Sequence, residues 1–155
     1  MKKVLIALDY NPSAQKIAEV GFELAKAMHA ETVLLHVLEE PGYYAANEYS
    51  PIMGFSGFLI PGPGMPEGQQ GELRQAANEF LEKSRAHLGS DGIAIAVQEG
   101  DTASAIGKYA ESCGADLIVI GSHSRRGLEK ILMGSVTESV LHHSKMPLYI
   151  IPVKD

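Results

Sequence analysis

LIVIGSHSRRGLEKILMGSVTESV, which runs from Leu117 to Val140, is the stretch that decides the fold. It begins with four consecutive apolar, mostly β-branched residues, the pattern of a strand that is buried on both faces. Gly121 ends this run, and a second glycine, Gly134, comes just before Ser135. Glu138 follows three residues after Ser135, and this spacing is the capping-box signature of a helix start. The stretch therefore predicts a buried strand, a long loop and a helix.

The start of this predicted helix is a candidate anion site. The first four N–H groups of a helix have no intrahelical partner, and the helix dipole adds partial positive charge at the same end. A glycine beside the helix start lets a ligand approach the backbone closely. Phosphate binding at Gly134 and Ser135 is therefore favourable on physical grounds.

The rest of the chain alternates short apolar runs with amphipathic segments. Strands are predicted at residues 4–8, 32–37, 93–97, 117–120 and 148–153. One helix is predicted to start with Asn11 as its cap and Pro12 at its first position, because these residue types favour those places. Helical spacing returns from Leu73, and Asp101 precedes a further helix that we expect to end at Gly114. The last helix is predicted at residues 135–143.

This alternation predicts one α/β domain over residues 1–155, with helices on both faces of a doubly wound, Rossmann-like, five-stranded parallel sheet. Right-handed crossovers restrict the topology, and the strand order that we predict is 3-2-1-4-5. Ligands of such sheets bind beyond the carboxyl ends of the strands, where the strand order reverses. Asp9 and Gly121 follow the two strands that would flank this reversal, so we expect them to face one crevice.

Residues 39–70 interrupt the regular alternation. They are rich in glycine and proline and hold five of the ten Phe and Tyr residues, which argues against a purely polar linker. A connection of this length is uncommon unless it is functional or disordered. We predict that this insert packs on the domain, a ligand or a second subunit.

Several sites and partners are excluded by what the sequence lacks. The turn after the first strand reads DYNPS, so neither a P-loop nor a dinucleotide fingerprint is present there. The net charge is −6 with no basic block, which argues against nucleic acid, and no apolar run is long enough to span a membrane. The single cysteine, Cys113, favours a reducing, cytoplasmic setting. His36, in the second strand, is predicted to be a core histidine with a hydrogen-bonded ring.

The glycines around the long loop resemble a motif of the universal stress protein family. Nucleotide-binding members of that family carry G-x-x-G, nine residues and then G-[ST]. Gly121 matches the first glycine, Ser124 occupies the place of the second, and Gly134 with Ser135 closes the pattern. LIALD at residues 5–9, LLHV at 34–37 and PLYIIP at 147–152 extend the resemblance over most of the chain.

The resemblance implies that ATP, or AMP or ADP, binds at the strand-order reversal, with Mg²⁺ recruited by the phosphates. Asp9 would meet the ribose or the adenine, and the Val37 backbone would reach the adenine edge. Amides near Gly121 and Gly134 would hold the phosphates. The full implied site comprises Ala7, Leu8, Asp9, Val37, Gly121, Ser122, His123, Ser124, Arg125, Arg126, Gly134, Ser135 and Val136.

The function that follows from the resemblance is that of a dimeric sensor or regulator in the stress response, with little or no catalysis and at most a slow ATPase. The alternative is a dimeric scaffold of the same fold that does not bind nucleotide. A serine at position 124 costs about 1–2 kcal/mol if that position needs positive φ, which weakens binding about tenfold. The apolar edge strand from Leu148 to Val153 predicts a homodimer, because such edges pair with other strands.

Overall fold

The computed structural model describes residues 2–39, 67–122 and 134–153. Its strands are β1 (Lys3–Ala7), β2 (Glu31–Leu38), β3 (Ala94–Glu99), β4 (Leu117–Gly121) and β5 (Leu148–Ile151). In these ranges the helices are α1 (Ala14–Ala27), α2 (Glu67–Leu88), α3 (Thr102–Cys113) and α4 (Ser135–His143). The first four residues of α2, which we predicted as part of the insert, are helical. The rest of the insert after Glu39 lies outside the described residues.

The sheet has the order β3-β2-β1-β4-β5, and every neighbouring pair is parallel. This confirms the predicted topology. The two central strands, β1 and β4, pair from Val4 with Leu117 to Ile6 with Val119. The strand order reverses between β1 and β4. Because the two strands are parallel, their carboxyl ends lie at the same edge of the sheet.

Helices cover both faces of the sheet, as predicted. On one face, α1 and α2 pack against β1 and β2 around Ile6, Leu34 and Leu81. On the other face, α3 and α4 pack around Leu5, Ile118 and Ile106. Because side chains alternate along each strand, β1 and β4 contribute buried residues to both layers. The central strands are therefore fixed from two sides, and so are the loops that leave their carboxyl ends.

The ends of several elements differ from the prediction. β2 extends to Leu38 and β3 to Glu99, past their predicted ends, because the backbone pairing of the two strands continues to these residues. β5 ends at Ile151 rather than Val153, because Pro152 has no N–H to donate. α2 begins upstream of Leu73 in a polar stretch that has no apolar periodicity.

The predicted start of α1 is wrong by two residues. The helix begins at Ala14, so Pro12 lies outside it and Asn11 is not its cap. The Asn11 side-chain oxygen instead accepts from the Ser13 N–H (3.1 Å) and the Ser13 hydroxyl (2.7 Å). Asn11 thus closes a short turn before the helix, an arrangement that asparagine favours as readily as a helix cap.

Candidate functional site

The carboxyl edge of the two central strands brings the predicted site residues together. Asp9 follows β1 by two residues and is exposed, and Gly121 is the last residue of β4. Because β1 and β4 are parallel neighbours, both residues lie at the same edge of the sheet. An Asp9 carboxylate oxygen accepts from the Asn11 N–H (3.1 Å), so the side chain is held by the turn that leads into α1.

The start of α4 carries no side-chain cap. Gly134 is the N-cap, and no side chain in the described ranges bonds to the first turn. Ser135 is exposed and is the first helical residue, so the predicted capping box with Glu138 is wrong. The Glu138 N–H instead donates to the Gly134 carbonyl (3.0 Å), as in any helix. The amides of the first turn and the Ser135 hydroxyl therefore remain suited to an anionic ligand.

Thr137 joins the start of α4 to the end of β4. Its hydroxyl donates to the Gly121 carbonyl at 2.8 Å, and the residue is only 2% exposed. This buried bond places the uncapped helix start at the edge of the sheet where Asp9 lies. Sequence reasoning missed Thr137, although its spacing of three residues from the buried Val140 identifies it as inward-facing.

Ser122 forms two hydrogen bonds with the residues at the end of β5. Its N–H donates to the Ile151 carbonyl (2.9 Å), and its hydroxyl oxygen accepts from the Val153 N–H (3.2 Å). Because its N–H is used in this way, Ser122 can donate to a ligand through its hydroxyl hydrogen. Ser122 thus holds the end of β5 against β4 and anchors the start of the loop.

The remaining residues of the implied site divide into two groups. Ala7, Leu8 and Val37 lie at the carboxyl ends of β1 and β2, and Val136 lies in the first turn of α4. The structure therefore brings them to one edge of the sheet. His123, Ser124, Arg125 and Arg126 lie outside the described residues, so their predicted contacts stay predictions.

Glu39 adds a second acidic residue at this edge, which the sequence analysis did not select. It follows β2 directly and is half-buried. One carboxylate oxygen accepts from the Thr102 hydroxyl at the start of α3 (2.5 Å). Next to it, the Gly100 N–H donates to the Leu38 carbonyl (2.9 Å). These two bonds tie β2 to the start of α3 and close the edge of the sheet on that side.

His36 lies under the same edge on the α1 and α2 side of the sheet. It is 4% exposed, and its Nδ1 is 2.8 Å from the Leu8 carbonyl. The predicted core position is confirmed, but Nε2 has no hydrogen-bond partner in the described part of the chain. Burial lowers the pKa of His36, opposed by the carbonyl bond and by the Asp9 charge. The ring is therefore neutral at pH 7.

The described residues hold no group of three or more His, Cys, Asp or Glu side chains arranged to bind a metal ion. Any Mg²⁺ at this edge would depend on oxygens supplied by a ligand. Among the helices within these residues, none has the length and apolar character needed to cross a bilayer.

Comparisons with known proteins agree with this architecture. Residues 1–152 match the model of the universal stress protein family. Universal stress protein MJ0577 of Methanocaldococcus jannaschii is 30% identical over 157 residues, which cover 99% of this chain and 96% of that protein. Universal stress protein A homolog 2 of Coxiella burnetii is 29% identical, over 99% of this chain and 96% of the relative.

Solved structures show the same fold. The structure of MJ0577 superposes with a TM-score of 0.70 and 26% identity, covering 99% of this chain and 97% of that one. A universal stress protein solved in complex with cAMP superposes with a TM-score of 0.64 and 17% identity, covering 97% and 96%. Because the family model spans nearly the whole sequence and relatives match over almost their full length, this chain belongs to the universal stress protein family.

Proposed function

We propose that this chain binds an adenine nucleotide at the carboxyl edge of β1 and β4 and acts as a dimeric sensor or regulator in the cytoplasmic stress response. The observation that carries the proposal is the start of α4, which no side chain of the described residues caps and which the Thr137 bond to Gly121 holds at this edge. A relative of the same fold was solved with cAMP, which contains adenine, ribose and phosphate.

The phosphate chain is the part of the ligand that the site accommodates best. The first-turn amides of α4 and the exposed Ser135 hydroxyl offer donors to anionic oxygens, and the helix dipole favours negative charge there. Val136 contributes its backbone N–H to the same turn. ATP, ADP and AMP all fit this recognition, and Mg²⁺ would be held mainly by the phosphates.

The nucleoside would lie across the end of β1. The exposed Asp9 carboxylate is a suitable acceptor for ribose hydroxyls, since a carboxylate accepts strong hydrogen bonds. The Val37 backbone, near the end of β2, is in place to meet the adenine edge. None of these groups provides an evident general base beside the phosphates, so turnover of ATP should be slow or absent.

Isothermal titration with ATP, ADP and AMP tests nucleotide binding. The decisive variant is Gly134→Val, because Gly134 has φ −58° and ψ 153°, a conformation that valine also adopts. Valine is a poorer N-cap than glycine, but the backbone geometry suits it, and we expect its side chain to obstruct the approach of phosphate oxygens to the first-turn amides. We expect binding to be lost in Gly134→Val.

Gly92→Val is the matched control. Gly92 is an exposed loop glycine without positive φ, and it precedes β3 at the opposite edge of the sheet. We expect this variant to bind as the wild type does. Heats equal to buffer for the wild type at millimolar ligand would refute nucleotide binding and leave the scaffold alternative.

The Ser124 substitution in the family motif gives a second test. Ser124→Gly should raise affinity about tenfold if the position needs positive φ. Equal affinities of the two forms would show that serine is accommodated there without strain.

We further propose that two copies pair through β5. The Tyr149 side chain on this edge strand is 43% exposed. The Ser122 N–H bonds the Ile151 carbonyl, so the backbone of residues 149 and 151 faces β4 and that of Leu148 and Ile150 faces outward. These outward groups, together with the exposed Tyr149 ring, make an edge that a second β5 strand can extend.

Light scattering at tens of micromolar tests the dimer. We expect a dimer mass for the wild type and a monomer mass for Tyr149→Lys, since a charge on an edge strand opposes pairing. Leu141→Lys is the matched comparison, because Leu141 on α4 is 45% exposed and lies off the strand. A dimer that Leu141→Lys alone dissociates would place the interface on α4, and a monomeric wild type would refute pairing altogether.

A further inference from the structure

Among the described residues, the backbone ladder between β1 and β2 ends at the bond from Leu8 to Leu35. Glu31 donates its N–H to the Lys2 carbonyl (2.8 Å), and the Leu35 carbonyl accepts from the Leu8 N–H (2.8 Å). Every second residue of β2 thus faces β1, and Val37 is the next in the series. A continued ladder would pair the Val37 N–H with the carbonyl of Leu8.

The Leu8 carbonyl is bonded by a side chain in this structure. The His36 Nδ1 lies 2.8 Å from it, and because the partner is a carbonyl, Nδ1 carries the hydrogen. The neutral ring then has an unprotonated Nε2, which is buried and has no partner in the described segments. In this orientation the ring donates to the Leu8 carbonyl, while its Nε2 makes no hydrogen bond to the described residues.

Two aromatic rings fix His36 in this orientation. The centroid of the Tyr10 ring lies 4.3 Å from that of His36, and the Phe80 centroid lies 5.8 Å away. Tyr10 and Phe80 also contact each other, with centroids 5.0 Å apart. Tyr10 comes from the turn after β1 and Phe80 from α2, so the cluster spans the groove between these elements.

The charged groups around the cluster leave the ring neutral. Asp9 at the end of β1 favours the protonated ring, but burial outweighs it. From α2, Lys83 and His87 line the same groove as Tyr10 and Phe80. The His87 ring is paired with Glu19 of α1 (2.7 Å).

We propose that His36 is a positioning residue of the nucleotide site. Its ring holds the Leu8 carbonyl away from Val37, so β1 leaves the sheet early and the Val37 N–H and carbonyl face a notch next to Asp9. A purine edge that presents an acceptor beside a donor would fill this notch. The inference rests on the proposed function for its ligand, whereas the state of the Val37 amide can be measured without ligand.

Two substitutions at one position separate the hydrogen bond from the bulk of the ring. An Asn side chain carries an N–H donor where the His36 Nδ1 lies, so His36→Asn retains the bond to the Leu8 carbonyl. His36→Leu fills similar space but has no donor. Because a carbonyl oxygen can accept two hydrogen bonds, the ring acts through the position that it imposes on the Leu8 carbonyl. In His36→Leu this constraint is absent, and the ladder can close on the Val37 N–H.

Native-state amide hydrogen exchange without nucleotide is the primary experiment. In the wild type and in His36→Asn, the Val37 amide should exchange faster than the Leu35 amide, which lies inside the ladder. In His36→Leu, the Val37 amide should become protected by about tenfold or more. Equal protection of Val37 and Leu35 in the wild type would overturn the proposal, even if neither variant folds.

Nucleotide titration supplies the second readout. His36→Leu should bind about tenfold more weakly than the wild type, because the ligand must then displace a backbone hydrogen bond, and His36→Asn should restore the affinity. Equal losses in both variants would refute a positioning role. If the wild type binds no nucleotide at all, the proposed function fails, and hydrogen exchange still decides the role of His36.

Discussion

Gly21 allows α1 to lie directly on the two central strands, and replacing it with alanine tests this packing. A Cβ at position 21 would be 2.8 Å from Ile6 Cδ1 and 3.2 Å from Val119 Cγ1. Ile6 and Val119 are both fully buried, so neither side chain can move into solvent. The substitution must shift α1 or distort the residues of β1 and β4 that lie beneath it.

The expected effect of Gly21→Ala is a balance of two contributions. Alanine stabilises a helix interior by about 1 kcal/mol relative to glycine. Forcing a methyl group into a filled core costs about 1–3 kcal/mol. The net result for Gly21→Ala is a loss of about 0–2 kcal/mol in the free energy of unfolding.

Gly107→Ala is a control with the opposite sign. Gly107 lies inside α3, and an added Cβ there would meet no atom within 4 Å. Only the helix contribution remains, so this variant should gain about 0.5–1 kcal/mol. If the helix contribution is the same in both variants, it cancels, and they should differ by the packing cost alone, about 1–3 kcal/mol, although the chemical change is identical.

Urea unfolding followed by circular dichroism measures this difference. With an m-value of about 2 kcal/mol/M, the midpoint of Gly21→Ala should lie about 0.5–1.5 M below that of Gly107→Ala. Equal midpoints, or a higher midpoint for Gly21→Ala, would refute the inference that α1 packs on Ile6 at this distance. An altered m-value would indicate a change other than packing in the native state.

Three further predictions concern the buried hydroxyl of Thr137, the helix cap Asp101 and the buried ring of His36. Thr137→Val leaves the buried Gly121 carbonyl without its 2.8 Å bond and should cost about 1–3 kcal/mol of stability in thermal unfolding. Thr137→Ser keeps the hydroxyl and should retain nucleotide affinity better than Thr137→Val does. Asp101→Ala removes the side chain that accepts from the Ser104 N–H (2.9 Å) and should cost about 0.5–2 kcal/mol in urea unfolding, and an unchanged midpoint would contradict the cap. Burial lowers the pKa of His36 below the unfolded value of about 6.5. The contribution of the neutral ring to stability is therefore present above that pH and is lost as the pH falls through the lowered pKa. When unfolding is compared at about pH 7.5 and 5, the wild type should lose more stability than His36→Asn, which does not titrate.

The sequence predicted the elements of the fold because their signals are local. The apolar run at Leu117 and the glycine at 114 each depend on a few neighbouring residues, and both predictions are confirmed. Gly114 has φ 70°, a left-handed conformation that favours glycine. The parallel order of the strands followed from the regular alternation with helices, since right-handed crossovers leave few topologies.

The same local rules failed where two nearby residues could serve as a helix start. The spacing of Ser135 and Glu138 fits a capping box, yet Gly134 is the N-cap. Asn11 and Pro12 fit a helix start, yet the helix begins at Ala14. A capping signature identifies a helix start within about one or two residues, and the surrounding packing selects the position.

The sequence by itself determined the strands, the covered faces of the sheet and the placing of Asp9 and Gly134 at its carboxyl edge. Only the tertiary structure decided which hydrogen bonds fix the helix start and the strand ends at that edge. The Thr137 bond to Gly121 spans 16 residues, and the His36 bond to Leu8 spans 28. No periodicity or short motif encodes such pairs, because each depends on the relative position of two elements that only the folded sheet brings together.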